Sequence, residues 1–361
     1  EHLFVASTHA YVLFLTAAGQ CHWLKVHRIP EGDRSARGRP LVNLLAMDQG
    51  QTIAAVVPVR DFAADRYLFT ATQDGIVKRT VLSAYRNIRR DGIIALNILA
   101  GDRLIGAAVT DGTQDIALVT RNGIIMRFPE AEVRAMGRVA TGVKGIELRP
   151  GDRVVDMVVV QPDADLLTLC ASGYGKRSPQ ADYPSKHRGG MGVKDIRTTA
   201  RNGPVVACKL VQQADQVMII TQNGILIRMP VAGVSRVSRN TQGVRGILLD
   251  EGDTVVGMAP TDATKTLLVV SERGFGKRTD LEEYRVQTRG GKGLITYKPS
   301  GKTGLLAGIA LVDDSHDIIL INDAGVIALP QVGLVLCRQA APECQRLIGV
   351  HGKRQQPHHH A

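Results

Sequence analysis

Aromatic residues make up only 4% of the 361 positions, with a single tryptophan. Surfaces that stack unpaired bases need flat rings at regular intervals, so base stacking is not the main device here. Cysteine is also scarce. Cys21, Cys170, Cys208, Cys337 and Cys344 are odd in number and contain no Cys-x-x-Cys. A disulfide framework and a zinc site both find little support, and free thiols in a reducing compartment are expected. No apolar run reaches the ~20 residues of a spanning helix, and the N-terminus has no leader pattern. Acid is under-represented: 34 Asp+Glu stand against 45 Lys+Arg, a formal net charge of +11. That excess points to an anionic partner such as nucleic acid or an acidic membrane surface. The chain starts at Glu1 without Met and reads as a fragment, with His358-His359-His360 as a tag remnant.

What is abundant is glycine, and it is periodic. Turn glycines stand at Gly19, Gly75, Gly123, Gly173, Gly224, Gly274 and Gly325, at intervals of 56, 48, 50, 51, 50 and 51 residues. A fixed period of this size means one supersecondary unit copied many times. Each turn lies between short β-branched runs, such as Asp115-Ile-Ala-Leu-Val-Thr120 and Ile124-Ile-Met-Arg-Phe128 around Gly123. This is a hairpin signature, with glycine supplying the positive φ of the turn. A second glycine follows 19 residues later at Gly38, Gly142, Gly192, Gly243 and Gly293, and 17 later at Gly92. Another short strand follows it, then a Gly-Asp turn at Gly101-Asp102, Gly151-Asp152 and Gly252-Asp253. The expectation is an all-β array of four-stranded blades, with about six to seven repeats of ~50 residues, because radial packing protects sheet edges. Residues 1–330 form this array, and 331–361 are a degenerate last repeat and tail. Residues 1–8 read as the last strand of an absent upstream blade.

The positive charge follows the repeat. Arg79, Arg127, Arg177, Arg228 and Arg278 stand four residues after their turn glycines, and Lys78, Lys176 and Lys277 precede three of them. Trp23 and Leu329 occupy that place in the other units. Equal positions in equal blades describe an arc, which suits a curved polyanion; the alternative is pairing with carboxylates of the neighbouring blade. Loop cations recur between the two glycines, among them Arg86, Arg89, Arg90, Arg134, Arg138, Lys186, Arg188, Arg236, Arg239, Arg285, Arg289 and Lys292. Arginine offers phosphate a planar fork and lysine a point charge. With few aromatics and no helix to enter a groove, such a surface reads duplex shape and deformability rather than sequence.

Catalytic motifs fail one by one. Gly301-Lys302-Thr303 lacks the leading glycine of a phosphate loop, since position 296 is Thr296. The histidines lack ligand spacing, and Gly173-Tyr-Gly175 is a repeat turn without the βαβ setting of a dinucleotide fingerprint. No catalytic or metal-ligating residue is assigned.

Several segments together resemble a known family. Arg37-Gly-Arg39-Pro-Leu-Val-Asn-Leu-Leu45, Gly173-Tyr-Gly-Lys-Arg177, Arg134-Ala-Met-Gly137 with Thr141-Gly-Val-Lys-Gly145, and Arg239-Asn-Thr-Gln-Gly243 are similar to the C-terminal domain of bacterial DNA gyrase A, with the matching domain of topoisomerase IV as a relative. The resemblance is strongest over residues 1 to about 258 and extends with the repeats to about 330. It implies a β-pinwheel, a propeller-like array that exchanges strands between blades. It also implies a basic rim that wraps duplex DNA for negative supercoiling. The catalytic tyrosine lies in the absent N-terminal region of such a protein, so no tyrosine here is catalytic. The holoenzyme uses ATP and Mg and works with gyrase B in the bacterial cytoplasm at the nucleoid; the domain alone needs no cofactor, is a monomer and touches no membrane. The family's hallmark heptapeptide, Gln-basic-Arg-Gly-Gly-basic-Gly, normally lies in the first blade. Here the best match is Gln287-Thr-Arg289-Gly290-Gly291-Lys292-Gly293 in the sixth repeat, with an echo at Lys186-His-Arg-Gly-Gly-Met-Gly192. The implied DNA contacts are Arg37, Arg39, Lys78, Arg79, Arg89, Arg90, Arg127, Arg134, Arg138, Lys176, Arg177, Lys186, Arg188, Arg228, Arg239, Lys277 and Arg278. A topoisomerase IV domain that steers substrate choice, and a propeller-like protein-interaction scaffold, are the alternative functions.

Overall fold

The computed structural model of the chain describes residues 2–6, 10–25, 31–32, 39–40, 45, 53–87, 92–261, 266–271, 276–301, 303–312, 317–321 and 326–330. Among them, every sheet strand but one pairs antiparallel, the exception being Glu31–Gly32 alongside Val326–Pro330. Each turn glycine among the described residues sits in a tight hairpin. Gly123, at φ +79°, joins Asp115–Thr120 to Ile124–Pro129, and its N–H donates to Thr120 O at 3.0 Å.

These hairpins build blades in chain order. Blade 1 holds Tyr11–Thr16, Gln20–Lys25 and Ile53–Val59; blade 2 holds Tyr67–Thr72, Ile76–Val81 and Leu104–Thr110. Blade 3 holds Asp115–Thr120, Ile124–Pro129 and Val154–Val160; blade 4 holds Asp165–Cys170, Tyr174–Pro179 and Val205–Val211. Blade 5 holds Gln216–Thr221, Ile225–Pro230 and Val255–Thr261; blade 6 holds Thr266–Ser271, Gly276–Asp280 and Leu306–Val312. The third strand of each blade lies innermost, where neighbouring blades meet.

The fourth, outermost strand is borrowed. Ile93–Ile94, from the second unit, pairs with Gln20–Lys25 of blade 1. Val143–Lys144 completes blade 2, Val193–Lys194 blade 3, Val244–Arg245 blade 4 and Leu294–Ile295 blade 5. Each unit therefore gives its outer strand to the blade before it, and the strand is two residues long. The N-terminal strand His2–Ala6 departs from the sequence reading. It pairs with Asp317–Ile321, joining the two ends of the described chain in a seventh sheet, and packs against the inner strands of blades 1 and 6. The segment 331–361 lies outside the described residues, as do Gly274 and Gly325.

The apolar core lies between blades, since each sheet buries both faces. One cluster joins Phe69, Ala71 and Val77 of blade 2 to Ile116, Leu118, Met126 and Phe128 of blade 3. Equivalent clusters fill the next junctions. Burying a side chain of the size of Phe69 contributes about 1.5–3 kcal/mol. The three thiols Cys21, Cys170 and Cys208 are free and buried in these layers. Burial pushes each of them up, Cys170 to about 12, so they stay protonated and unreactive at neutral pH.

Candidate functional site

The arginines four residues after the turn glycines do not form a free surface. Their guanidiniums lie across the hairpin from the first residue of its first strand, twelve positions earlier. Arg127 Nε donates to Asp115 Oδ2 at 2.7 Å, Arg228 Nε to Gln216 Oε1 at 2.6 Å, and Arg278 Nε to Thr266 Oγ1. Arg177 faces Asp165 at 3.6 Å, and Arg79 lies 4.6 Å over the ring of Tyr67. In blade 1 the same pair is Trp23 edge-on to Tyr11, with ring centroids 5.0 Å apart. The far ends of two of them, Arg127 and Arg228, reach the next blade. Arg127 Nη1 donates to Gln180 O and Tyr183 O at 3.0 and 3.4 Å, and Arg228 Nη1 to Leu281 O and Tyr284 O at 2.6 and 3.4 Å. Arg127 and Arg228 staple one blade to the next, and the other three are engaged within their own hairpins, where the sequence reading expected an arc of DNA contacts.

Lys78 and Lys176 are 1% exposed, and Arg177 4%. Lys78 Nζ donates to Ala95 O and Arg138 O. Lys176 Nζ lies 2.9 Å from Asp195 Oδ1 and donates to Ser178 Oγ at 2.7 Å. These three cations are interior: the two lysines satisfy their donors there, as burial of a charge requires, and Arg177 is held by its ion pair with Asp165. Lys277 remains exposed. Arg37, Arg89 and Arg90 lie outside the described residues, and Arg39 is placed only by its backbone, opposite Ile327.

The loops between each hairpin and its donated strand are different. They run along the outer edge and carry Arg134, Arg138, Lys186, Arg188, Arg236, Arg239, Arg285, Arg289 and Lys292, all exposed or half-buried. Four of them, Arg138, Arg188, Arg239 and Arg289, stand at one place: four residues before the second glycine of their loops. The backbone after Arg188, Arg239 and Arg289 hydrogen-bonds the outer strand segment of the preceding blade. Gly189 N donates to Gly145 O at 2.7 Å, Asn240 N to Asp195 O at 2.7 Å, and Gly290 N to Gly246 O at 2.7 Å. Return bonds run from Glu147 N to Gly190 O, Arg197 N to Thr241 O and Leu248 N to Gly291 O, at 2.9, 2.8 and 2.9 Å. The turn needs positive φ: Gly189 has +79°, Gly290 +78° and Asn240 +63°. Gly290 and Gly291 of the box-like segment thus share a backbone geometry with loops that lack the heptapeptide. Its distinguishing groups are side chains: Arg289 and Lys292 are exposed, while Gln287 is half-buried. Gly293, at φ +74°, packs 2.7 Å (as a built Cβ) from Leu226 O and seats the donated strand.

A second row of cations escaped the sequence reading. Lys144, Lys194 and Arg245 end their donated strands, all exposed and all opposite the residue that follows a turn glycine: Ile76, Ile124 and Tyr174. At the two flanking blades this place holds Ile94 and Ile295, 44% and 71% exposed. The signal was present in the recurring Gly-Val-basic run at residues 142–144, 192–194 and 243–245. It was hidden because donation to the preceding blade cannot be read from local pattern. The outer edge over blades 2 to 4 therefore presents two parallel cation rows, one in the loops and one on the donated strands. Acids temper it locally: Lys144 pairs with Glu147, and Glu132 accepts from Arg188 N at 2.8 Å and lies 2.7 Å from His187 Nδ1. Among the described residues no group of three or more His, Cys, Asp or Glu could hold a metal, and no helix is long and apolar enough to cross a membrane.

An array of strand-exchanging four-stranded blades with a basic outer edge defines the propeller-like class of DNA-topoisomerase C-terminal domains. The chain belongs to the family described as DNA gyrase C-terminal domain, beta-propeller, whose model matches six successive segments: residues 10–60, 66–111, 114–161, 164–212, 215–262 and 265–313. It is 52% identical over 283 residues to the DNA gyrase A protein of Halalkalibacterium halodurans, covering 78% of this chain and 34% of that protein. It is 43% identical over 258 residues to the corresponding gyrase A protein of Escherichia coli, covering 72% of this chain and 30% of that protein. The chain thus spans about a third of the length of these relatives. Among solved structures it is similar to a DNA gyrase A C-terminal domain, with TM-score 0.61 and 21% identity over 71% of this chain and 83% of that one. It is also similar to a C-terminal domain of DNA topoisomerase IV, with TM-score 0.64 and 25% identity over 71% of this chain and 80% of that one.

Proposed function

We propose that this chain binds duplex DNA along the outer edge of its blades and bends it around the array, as the wrapping element of a gyrase A protein. The observation that carries the reading is the equal register of Lys144, Lys194 and Arg245 beside the loop arginines Arg138, Arg188, Arg239 and Arg289. Cations repeated at one angular step follow a curved phosphate backbone and carry no information about base identity. Bond breakage belongs to the rest of gyrase A, with gyrase B, ATP and Mg in the holoenzyme, in the bacterial cytoplasm at the nucleoid. The box-like segment 287–293 adds Arg289 and Lys292 at the blade 5 end of the rim.

Titration of a mixed-sequence duplex across a salt series tests the binding. If about six phosphates are neutralised, log K falls against log salt with a slope of roughly −5. Equal affinity for unrelated sequences is expected. Salt-independent binding, or capture of a peptide with no affinity for DNA, instead supports an interaction scaffold.

A further inference from the structure

Blade 4 departs from its neighbours at two places that face each other. The cross-strand pair at the start of its second strand is Tyr174 with Arg245, where blades 2 and 3 pair isoleucine with lysine. The turn leading to its inner strand reads Arg201-Asn202, where three other units read Gly101-Asp102, Gly151-Asp152 and Gly252-Asp253. Those aspartates accept from the hairpin-turn N–H groups of Asp74, Asn122 and Asn223, whereas Asn202 carries no charge and its side chain bonds other partners. Its Oδ1 accepts from Thr199 N at 2.7 Å, and its Nδ2 donates to Arg197 O at 3.0 Å.

Both guanidiniums converge on Tyr174. Arg245 donates to the phenol oxygen through Nη2 at 2.8 Å and Nε at 3.2 Å, and lies 5.4 Å from the ring centroid. Arg201 lies 4.9 Å from the same centroid. Tyr174 is 6% exposed under this cover, while both arginines are exposed. Hydrogen bonds from Arg201 and Arg245 hold the phenol below its ordinary range. Among the described residues neither arginine has a carboxylate within ion-pair distance, whereas Lys144 is partly neutralised by Glu147. A neutral phenol fixes the two forks and leaves their charge available, and a fork held in advance loses less side-chain entropy when it meets an anion.

We infer that Arg201 and Arg245, seated on Tyr174, form a phosphodiester clamp on blade 4, with Tyr174 as its positioning residue. The inference rests on the DNA-binding reading of the rim and adds a dominant contact to it. A lysine on a flexible stem gives the same charge at the rim of blade 3 without fixed direction.

The test is duplex titration across a salt series with the full chain and the variants Tyr174→Phe, Arg201→Ala, Arg245→Ala, Arg245→Lys and their combinations, with thermal unfolding as the folding check. Arg245→Ala lowers affinity and makes the salt slope shallower by about 1. Tyr174→Phe keeps ring and charge, so the slope is unchanged while affinity falls about three- to tenfold, the value of a hydrogen bond that orients a charged group. That loss disappears in a background carrying both Arg201→Ala and Arg245→Ala, and Arg245→Lys restores the slope without restoring the affinity. A Tyr174→Phe variant that binds like the parent overturns the inference, as does a loss that persists when both arginines are alanine. If Tyr174→Phe unfolds, Arg201→Ala takes its place, with a shallower slope expected and an unchanged slope contradicting the clamp. A parent chain without salt-dependent binding overturns the DNA reading itself, and the clamp with it.

Discussion

Lys78 and Lys176 stand three residues after their turn glycines and differ in what they meet. Lys176 finds Asp195, which also accepts from Tyr183 OH at 2.6 Å and Thr168 Oγ1 at 2.7 Å, all inside the junction of blades 3 and 4. At the matching place Lys78 finds the Ala95 carbonyl and no carboxylate. Removing one member of a buried pair leaves an uncompensated charge. Asp195→Asn is therefore expected to destabilise the chain by about 3–5 kcal/mol in denaturant unfolding. Replacing Lys176 by Met in the same variant should recover most of that loss, because Met126 fills this place in blade 3. Burial lowers the Lys78 amine to about 7, with the Arg138 charge adding to the shift. The unfolded chain holds that proton up to about pH 10.4. Below pH 7 both states are protonated and the cost of burying the charge is carried in full. Between pH 7 and about 10.4 the folded state has lost the proton, so stability should rise with pH relative to a Lys78→Met variant. Unfolding midpoints of the two proteins that run parallel over that window contradict the assignment.

The element that organises the molecule is the glycine hairpin with its donated strand. Gly123 shows why glycine is required: a Cβ built there lies 2.2 Å from Ile196 O, and Asp195 N and Ile196 N donate to Gly123 O at 2.9 and 3.3 Å. The hairpin turn is also the docking point for the strand of the next unit. Gly151 has a similar φ, +76°, but nothing lies within 4 Å of its Cβ. Gly151→Ala should cost only the backbone term, about 1–2 kcal/mol. Gly123→Ala should cost clearly more, since a main-chain carbonyl must move; equal losses in thermal unfolding would show that the close approach carries no weight. The hairpins, their period and the all-β class were legible because alternation and turn chemistry are local. The exchange of outer strands was legible only through the family resemblance, since pairing of Lys144 with Ile76 joins residues far apart in sequence. The bonds of Arg127 and Arg228 to the next blade were not legible for a related reason. A recurring cation looks alike in sequence whether it faces solvent or the carbonyls of Tyr183 and Tyr284. An alternation also passed unread: Tyr85, Tyr183 and Tyr284 accompany lysine at the third position after the turn glycine, while Val133 and Val234 accompany Met126 and Ile227. Lys78 and Lys176 lie inside their junctions, whereas Lys277 is exposed.

At the scale of the whole molecule, the sheet pairing His2–Ala6 with Asp317–Ile321 links first and last blades, and cations gather on the outer edge of blades 2 to 4. Two sets of variants separate scaffold from surface. Alanine at Arg127 and Arg228 should lower the unfolding midpoint, because each removes bonds to a neighbouring blade, and should leave the salt slope of binding near the parent value. Glutamate at Lys144, Lys194 and Arg245 together should leave the midpoint near the parent value and make the slope shallower by about 3. The most direct measurement is ligation of nicked circular DNA in the presence of the chain, followed by counting of linking-number shifts. The account predicts a shift of one sign that grows with bound protein and collapses in the Lys144, Lys194 and Arg245 variant. A parent chain that binds the circles and leaves their linking number unchanged would contradict wrapping.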